Sequence, residues 1–272
     1  MSAGRLVVCP TPIGNLEDVT LRVLAALREA DIVACEDTRR TRGLLHRYGV
    51  TGTLVSYHEH NERERAAELV PRMRAGAVVA LVSDAGMPLV SDPGFILVEA
   101  CVAAGLSVEV LPGPSSAIAA LVASGLPAER WRFVGFLPRK KGELERLLMS
   151  TADTLVAFES PKRLTGTLTL LAANDPTRPV AVCRELTKIH EEVRRGSAQE
   201  LAEHYAAQPP RGEVVLVVGA APAGLQPGDE DRAIAALHAL VEAGAKPRAA
   251  AKVLAELTGV AANRLYAAHT ER

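Results

Sequence analysis

Aromatic side chains are scarce in this chain of 272 residues, where Phe, Trp and Tyr make up 3%. Proteins that grip single-stranded nucleic acid stack bases on such rings, so a stacking platform is excluded as the main mode of recognition. Cysteine is equally sparse: Cys9, Cys35, Cys101 and Cys183 lie far apart in apolar runs, with no Cys-x-x-Cys pair. That usage excludes a zinc ribbon or a disulfide framework and fits buried thiols in a reducing compartment. No apolar run approaches the ~18 residues of a membrane span, and the opening MSAGRLVVCP lacks the long apolar stretch of a secretory leader. The expected setting is therefore the cytoplasm, without a membrane partner. Neither sign of charge prevails, the formal net charge being −1, so any nucleic-acid partner must be held by local basic patches. Two nucleotide signatures are also missing: no Gly-x-Gly-x-x-Gly follows the first strand pattern, and Gly-x-x-x-x-Gly-Lys-Ser/Thr occurs nowhere.

What is present is alternation. Apolar strand-like runs at 6–9, 32–35, 54–57, 78–82 and 108–111 are each followed by a helical pattern, at 20–29, around 41–48, after Asn61, at 95–104 and at 115–124. Asn61 with Glu64 resembles a capping box for the third of these helices. Continuous apolar strands alternating with amphipathic helices predict a parallel sheet covered on both faces. A Gly/Pro-containing boundary at 125–130 introduces a second α/β unit with strands at 132–136, 155–158, 180–184, 191–195 and 214–218. The second, third and fourth of these are expected to lead into helices, Ser197 and Glu200 capping the last, and the sheet is expected to be mixed. A Pro/Gly-rich acidic linker at 222–231 then leads to a helical appendage at 232–272 with net charge +3, opposite in sign to the whole chain. The expected organisation is an N-terminal α/β domain at 1–126, a second at 127–221, the linker and the appendage.

Three Gly/Pro loops leave strand ends: PTPIGN (10–15), DAGMPLVSDPG (84–94) and LPGPSS (111–116). In an open parallel sheet those ends border the ligand crevice. Glycine admits a backbone close to a ligand, and proline fixes the loop in advance. No Lys or Arg occurs in these loops, which argues against a triphosphate and for a compact adenosine-type ligand. Taken singly, each loop has a plainer reading: Asp92-Pro93-Gly94 is a helix start with Asp92 as cap, and Ser115 caps a helix after a turn. Three such loops, each at the end of a strand, favour a binding site.

Together with these loops, the segments TPIGNLEDVT (11–20), ACEDTRRTRGLL (34–45), SYHEHNE (56–62), LPGPSSAIAALVASGLP (111–127), FVGFLPRK (133–140) and FESPKRL (158–164) resemble the bacterial 16S rRNA (cytidine) 2′-O-methyltransferases of the tetrapyrrole-methylase superfamily. The resemblance runs in order from about residue 6 to the C-terminus. It implies two α/β domains with S-adenosylmethionine in the cleft between them, a homodimer, and a cytidine ribose in the decoding region of 16S rRNA as methyl acceptor, met in the assembled small subunit. The cofactor would be held by Pro12 and Gly14, by Asp84, Ala85, Gly86, Pro88, Asp92, Pro93 and Gly94, by Pro112, Gly113, Pro114, Ser115, Ser116 and Ala117, and from the second domain by Phe158 and Arg184.

A ribose hydroxyl is a poor nucleophile, so a base, or a cation that stabilises the developing alkoxide, is required. An acid paired with a cation meets that need: Glu159 with Lys162, or Glu185 with Lys188, with Glu36, Asp37, Arg39 and His58 as further strand-end candidates. The His58-x-His60 pair has no further ligand set beside it and methyl transfer needs no metal, so none is expected. Phosphate contacts would come from Arg39, Arg40 and Arg42 and from Arg139, Lys140 and Lys141, with His58 bonding to RNA. Two rivals remain: a methylase of porphyrin-type rings, which has no need of a basic appendage, and a non-catalytic nucleic-acid-binding protein built on the helix-turn-helix-like KPRAAAKVLAELTGVAANRLY (246–266), with Gly259 between its helices.

Overall fold

In the computed structural model, which describes residues 4–221, 229–258 and 260–270, the first half is a run of strand–helix pairs. They are β1 (Arg5–Cys9), α1 (Leu21–Glu29), β2 (Ile32–Cys35), α2 (Thr38–Arg47), β3 (Thr53–Ser56), α3 (Glu62–Arg74), β4 (Val78–Val82), α4 (Phe95–Ala103), β5 (Ser107–Val110) and α5 (Ser116–Ser124). The sheet is wholly parallel in the order β3-β2-β4-β1-β5. β4 is buried along its whole length, because helices cover both faces. Val23 and Leu27 of α1 pack on one, and Leu69 and Met73 of α3 with Leu97 of α4 on the other. This is the expected parallel unit.

The second sheet contains β6 (Trp131–Phe136), β7 (Thr154–Glu159), β8 (Pro179–Arg184), β9 (Glu192–Ser197) and β10 (Val214–Val218), with α6 (Lys141–Ser150), α7 (Pro161–Asn174) and α8 (Ala198–Ala207). Its order is β6-β7-β10-β8-β9, and only the β6–β7 pairing is parallel. The expected mixed sheet is thus observed, with two corrections to its helices. A helix, α6, follows β6, where none was expected. None follows β8, which turns directly into an antiparallel partner, β9. The capping box at Ser197 and Glu200 is formed in both directions and contributes about 1 kcal/mol to the start of α8. The one at Asn61 is not. Asn61 stands at the cap position of α3, but its side chain turns back, Oδ1 accepting from His58 N–H at 2.8 Å and Nδ2 donating to Ser56 O at 3.1 Å.

α5 joins the units in a way the sequence pattern hides. It follows the first sheet, yet Ala117, Ala120 and Leu121 pack against Val156, Ala181, Cys183, Val215 and Val217 on the second. The other face of that sheet is covered by α6, α7 and α8. The expected boundary at 126/127 therefore marks the turn after α5, at Gly125 (φ 70°), whereas the change of packing partner comes one helix earlier. At the C-terminus, α9 (Asp229–Glu242), α10 (Pro247–Thr258) and α11 (Ala262–Thr270) enclose a small core of their own around Leu237, Ala251 and Leu265, and the Arg248 guanidinium lies over the Tyr266 ring at 5.4 Å. Of the expected linker, 222–228 lies outside the described residues, as does Gly259; α9 already begins at Asp229. Among the described residues no helix is long and apolar enough to cross a membrane.

Candidate active-site cleft

β1 and β4 are neighbours in the sheet, and the loops that leave them are tied together. Thr11 and Gly86 exchange two backbone hydrogen bonds at 2.9 Å. The Thr11 hydroxyl donates to Ser83 O at 3.0 Å, and the buried Ser83 hydroxyl donates to Gly86 O at 3.1 Å. In the run Ser83-Asp84-Ala85-Gly86 the serine thus closes a turn that needs Gly86 at φ 84°. In the similar run Ser91-Asp92-Pro93-Gly94, Ser91 itself is left-handed (φ 65°) and Gly94 stands at φ 139°. Gly94, not Asp92, is the cap position of α4, and its N–H donates to Glu62 Oε1 at 2.6 Å. The expected Asp-Pro helix start is thus corrected. Gly113 serves packing: a Cβ there would lie 2.3 Å from Pro10 Cγ.

Across from these loops stand the ends of the second sheet, and between them runs a cleft of three joined compartments. The inner one, of about 320 Å³, is bordered by Ile13, Ala85 and Ser116 on one side and by Phe136, Phe158, Leu186, Val214 and Val215 on the other. Phe158 packs edge-on against both Phe133 and Phe136, with centroids 5.0 and 5.4 Å apart. Among the described residues no cation borders it. The middle compartment, of about 460 Å³, shares Ile13, Ala85 and Glu213 with the inner one and adds Pro12, Gly14, Arg40, Asp84 and Lys188. The outer one is lined by Arg47, Glu185, Lys188, Ile189 and His190.

Of the residues expected around the cofactor, Pro12, Gly14, Asp84, Ala85, Ser116 and Phe158 line this cleft. Gly86, Gly94 and Gly113 shape its loops, while Pro88, Pro93, Pro112 and Pro114 are loop residues that border neither the inner nor the middle compartment. Ser115 caps α5, and Ala117 is buried in the core beneath it. Arg184 is a correction. Its guanidinium turns away to Glu192 on β9, at 3.0 and 3.1 Å, and borders a separate cavity beside His204 and Tyr205. Ile13, Phe136 and Leu186 were not anticipated. They are ordinary apolar residues in sequence, and only their position at strand ends could have marked them.

The acid–cation candidates divide. Glu159 is buried with both oxygens engaged, Oε1 by Ser160 N–H at 2.7 Å and Oε2 by the Thr167 hydroxyl at 2.7 Å, with Arg163 3.4 Å away. Its cation is Arg163, not the exposed Lys162, and Arg163 in turn donates to the carbonyls of Leu137 and Pro138. Glu159 therefore braces the turn that carries Phe136 and Arg139 while also bordering the inner compartment. Glu185 and Lys188 do pair. Lys188 Nζ lies 3.0 Å from Glu185 Oε1 and 2.9 Å from Glu213 Oε2. The backbone N–H of Glu213 and then Lys188 hold the Glu185 carboxyl below its usual range. Burial works against the Lys188 ammonium, but the bonds to Glu213 and Glu185 outweigh it and raise its pKa. Both partners stay charged at neutral pH. The segment holding them is strained, with Glu185 at φ 51° and Thr187 at φ 67°. Such conformations cost on the order of 1–3 kcal/mol each and cluster at functional sites.

At the ends of β2 and β4 a second set of acids gathers. Asp84 accepts from Asp37 N–H at 3.0 Å and lies 3.5 Å from Arg40. Burial, then Asp84, raises the Glu36 pKa. Burial, then Glu36, pushes Asp92 up to about 6 against the pull of the Ser83 hydroxyl. Asp37 caps α2 and is held at about 2 by Arg39. His58 is half-buried, and its Nδ1 has no hydrogen-bond partner among the described residues. Arg39, Arg42 and Arg47 lie exposed along α2, and Arg139, Lys140 and Lys141 lie exposed beyond β6, Lys140 paired with Glu143 at 3.2 Å. Among the described residues no group of three or more His, Cys, Asp or Glu is placed to hold a metal.

Comparison with known proteins matches this architecture. The family model of the Tetrapyrrole (Corrin/Porphyrin) Methylases covers residues 5–202. Ribosomal RNA small subunit methyltransferase I of Mesorhizobium japonicum is 48% identical over 267 residues, 96% of this chain and 90% of that protein. The protein of the same name from Thermotoga maritima is 44% identical over 218 residues, 79% of this chain but 98% of its own length. Among solved structures, uroporphyrin-III-C-methyltransferase of Thermus thermophilus superposes with a TM-score of 0.57 at 27% identity, covering 80% of this chain and 94% of that one.

Proposed function

Since the chain belongs to the Tetrapyrrole (Corrin/Porphyrin) Methylases, a family that uses S-adenosylmethionine, we propose that it methylates the 2′-hydroxyl of a cytidine ribose in the decoding region of small-subunit rRNA, acting as a homodimer on the assembled subunit. Support comes from the division of the cleft. A compartment lined by Phe136, Phe158, Leu186 and Val215, with no cation among the described residues at its border, opens past Ile13, Ala85 and Glu213 into one bordered by Arg40 and Lys188. The first suits an adenosine-type group without phosphates, and its volume of about 320 Å³ falls at the small end of the ~300–1,000 Å³ of ligand sites. The second suits a ribose with its phosphates. The 40–48% identity to rRNA methyltransferases, against 27% to the ring methylase, favours this reading over a tetrapyrrole substrate.

S-adenosylmethionine supplies an electrophilic methyl group, so the protein's task is positioning and charge stabilisation. Lys188, an ammonium fixed by two carboxylates, borders both the middle and outer compartments and stabilises the ribose oxygen as it loses its proton. That proton leaves to solvent: Asp92 and Glu36, whose pKa values burial raises, line none of the three compartments. Arg39, Arg42 and Arg47 with Arg139, Lys140 and Lys141 hold phosphates of the folded RNA, whose shape, more than its bare sequence, is recognised. Incubation of the protein with labelled donor and small subunits that lack the modification tests the reading. Label should appear at one nucleotide whose 3′ phosphodiester resists alkali. Label on a base, or transfer to a tetrapyrrole and not to subunits, would replace it.

A further inference from the structure

The segment between β8 and β9 presents a side chain that the reaction as derived above does not use. Ile189 is 97% exposed, the most exposed large apolar side chain among the described residues. Single exposed apolar residues are ordinary, but this one is held in an unusual way. Its loop is cross-linked by Lys188 N–H to Glu185 O and Glu191 N–H to Lys188 O, both at 3.0 Å, and by Thr187 N–H to the Glu191 carboxylate. It is also clasped to the opposite domain, since Asn15 N–H donates to Thr187 Oγ1 at 3.0 Å and a Cβ on Gly14 would fall 2.5 Å from Lys188 Cγ. Two left-handed non-glycine residues, Glu185 and Thr187, are kept in place by these contacts. A stiff, β-branched side chain is thus held out at the mouth of the cleft, next to His190 and in the compartment that Arg47 borders. Arg47 and the Glu185-paired Lys188 share that compartment with Glu17, and an aliphatic group projecting there is matched by the apolar faces of stacked bases.

Resting on the reading of the cleft as an RNA ribose site, we propose that Ile189 is a wedge that enters the base stack of the substrate and takes the place of the target nucleotide as its ribose turns into the cleft. Drawing one nucleotide out of folded RNA exposes its stacking neighbours, and inserted aliphatic side chains offset that cost in other nucleic-acid complexes. Ile189 enters from a braced loop, so little of its effect is lost to ordering on binding.

The test compares full-length wild type with Ile189→Ser, Ile189→Lys and Ile189→Leu on unmodified small subunits. It reads kcat and KM, affinity for S-adenosylmethionine, and 2′-hydroxyl acylation of the nucleotides flanking the target. The wedge predicts that the serine and lysine variants lose roughly 10–100-fold in kcat with unchanged donor affinity and no enzyme-induced reactivity of the flanking nucleotides, while leucine stays within about threefold of wild type. Wild-type turnover in the serine variant, or a lysine variant that matches wild type through added phosphate contact, would overturn it. So would a serine variant that sediments as a smaller species, which would make Ile189 a subunit contact. Wild-type protein that leaves subunits unmethylated sinks the RNA reading itself, and the wedge with it.

Discussion

Lys188 is the residue whose surroundings most restrict what it can do. Bonded to Glu185 and Glu213 and pushed further into its charged form, it cannot take a proton at neutral pH, so its contribution is a fixed positive charge. Lys188→Ala should therefore lower kcat by roughly 10²-fold while calorimetry shows donor affinity unchanged; Lys188→Arg, too large for its two-carboxylate seat, should restore only part. Asp92 is the opposite case. Its pKa of about 6, raised from 3.8 chiefly by burial, means that the folded protein holds this proton more tightly than the unfolded chain does. Stability is thus greater below that range and is lost as pH rises from about 4 through about 6. Asp92→Asn should flatten that part of the stability profile and melt above wild type at pH 7, by on the order of 1–3 kcal/mol, as thermal unfolding across pH would read.

At the scale of loops and helices, the strand-end loops owe their glycines to neighbours within the protein as much as to any ligand. Gly113 would place a Cβ 2.3 Å from the Pro10 ring, so Gly113→Ala should cost about 1–3 kcal/mol of stability in denaturant titrations, with weaker donor binding following from the displaced loop. The sequence places a glycine among prolines at position 113. That its neighbour is a proline from another strand end cannot be read along the chain. The same contrast recurs elsewhere. β1, β2, β4 and β10 were legible because buried apolar runs such as Val78–Val82 and Val214–Val218 leave few alternatives. α6 was hidden because it begins in a charged stretch without a side-chain cap and buries only Leu144 and Leu148. The direct turn from β8 to β9 was hidden because its left-handed residues are Glu185 and Thr187, types that give no hint of that conformation. The cleft was legible in its Gly/Pro half. Phe136, Leu186 and Ile13 become site residues only when two sheets face each other.

For the molecule as a whole, the appendage and the joint have different standing. α9, α10 and α11 enclose their own core, and the Thermotoga maritima relative reaches 98% of its length within 79% of this chain, which leaves it little room for such an addition. A chain ending at Ala221 should fold and bind S-adenosylmethionine as the full protein does, yet bind small subunits more weakly and with a shallower dependence on salt, since fewer phosphate contacts release fewer counterions. An insoluble truncation, or unchanged affinity and salt slope, would make the helices a structural cap. α5 admits no such excision. Because its apolar side lies on the second sheet, a cut at 126/127 leaves the first fragment with an orphaned apolar helix and strips the second of the cover over Val215 and Val217. Two separately made halves would reconstitute an enzyme only if the break fell between Leu111 and Ser115, with α5 travelling in the second half. By the same logic, duplication, swapping or circular permutation of these units would have to treat the 111–115 turn as the seam.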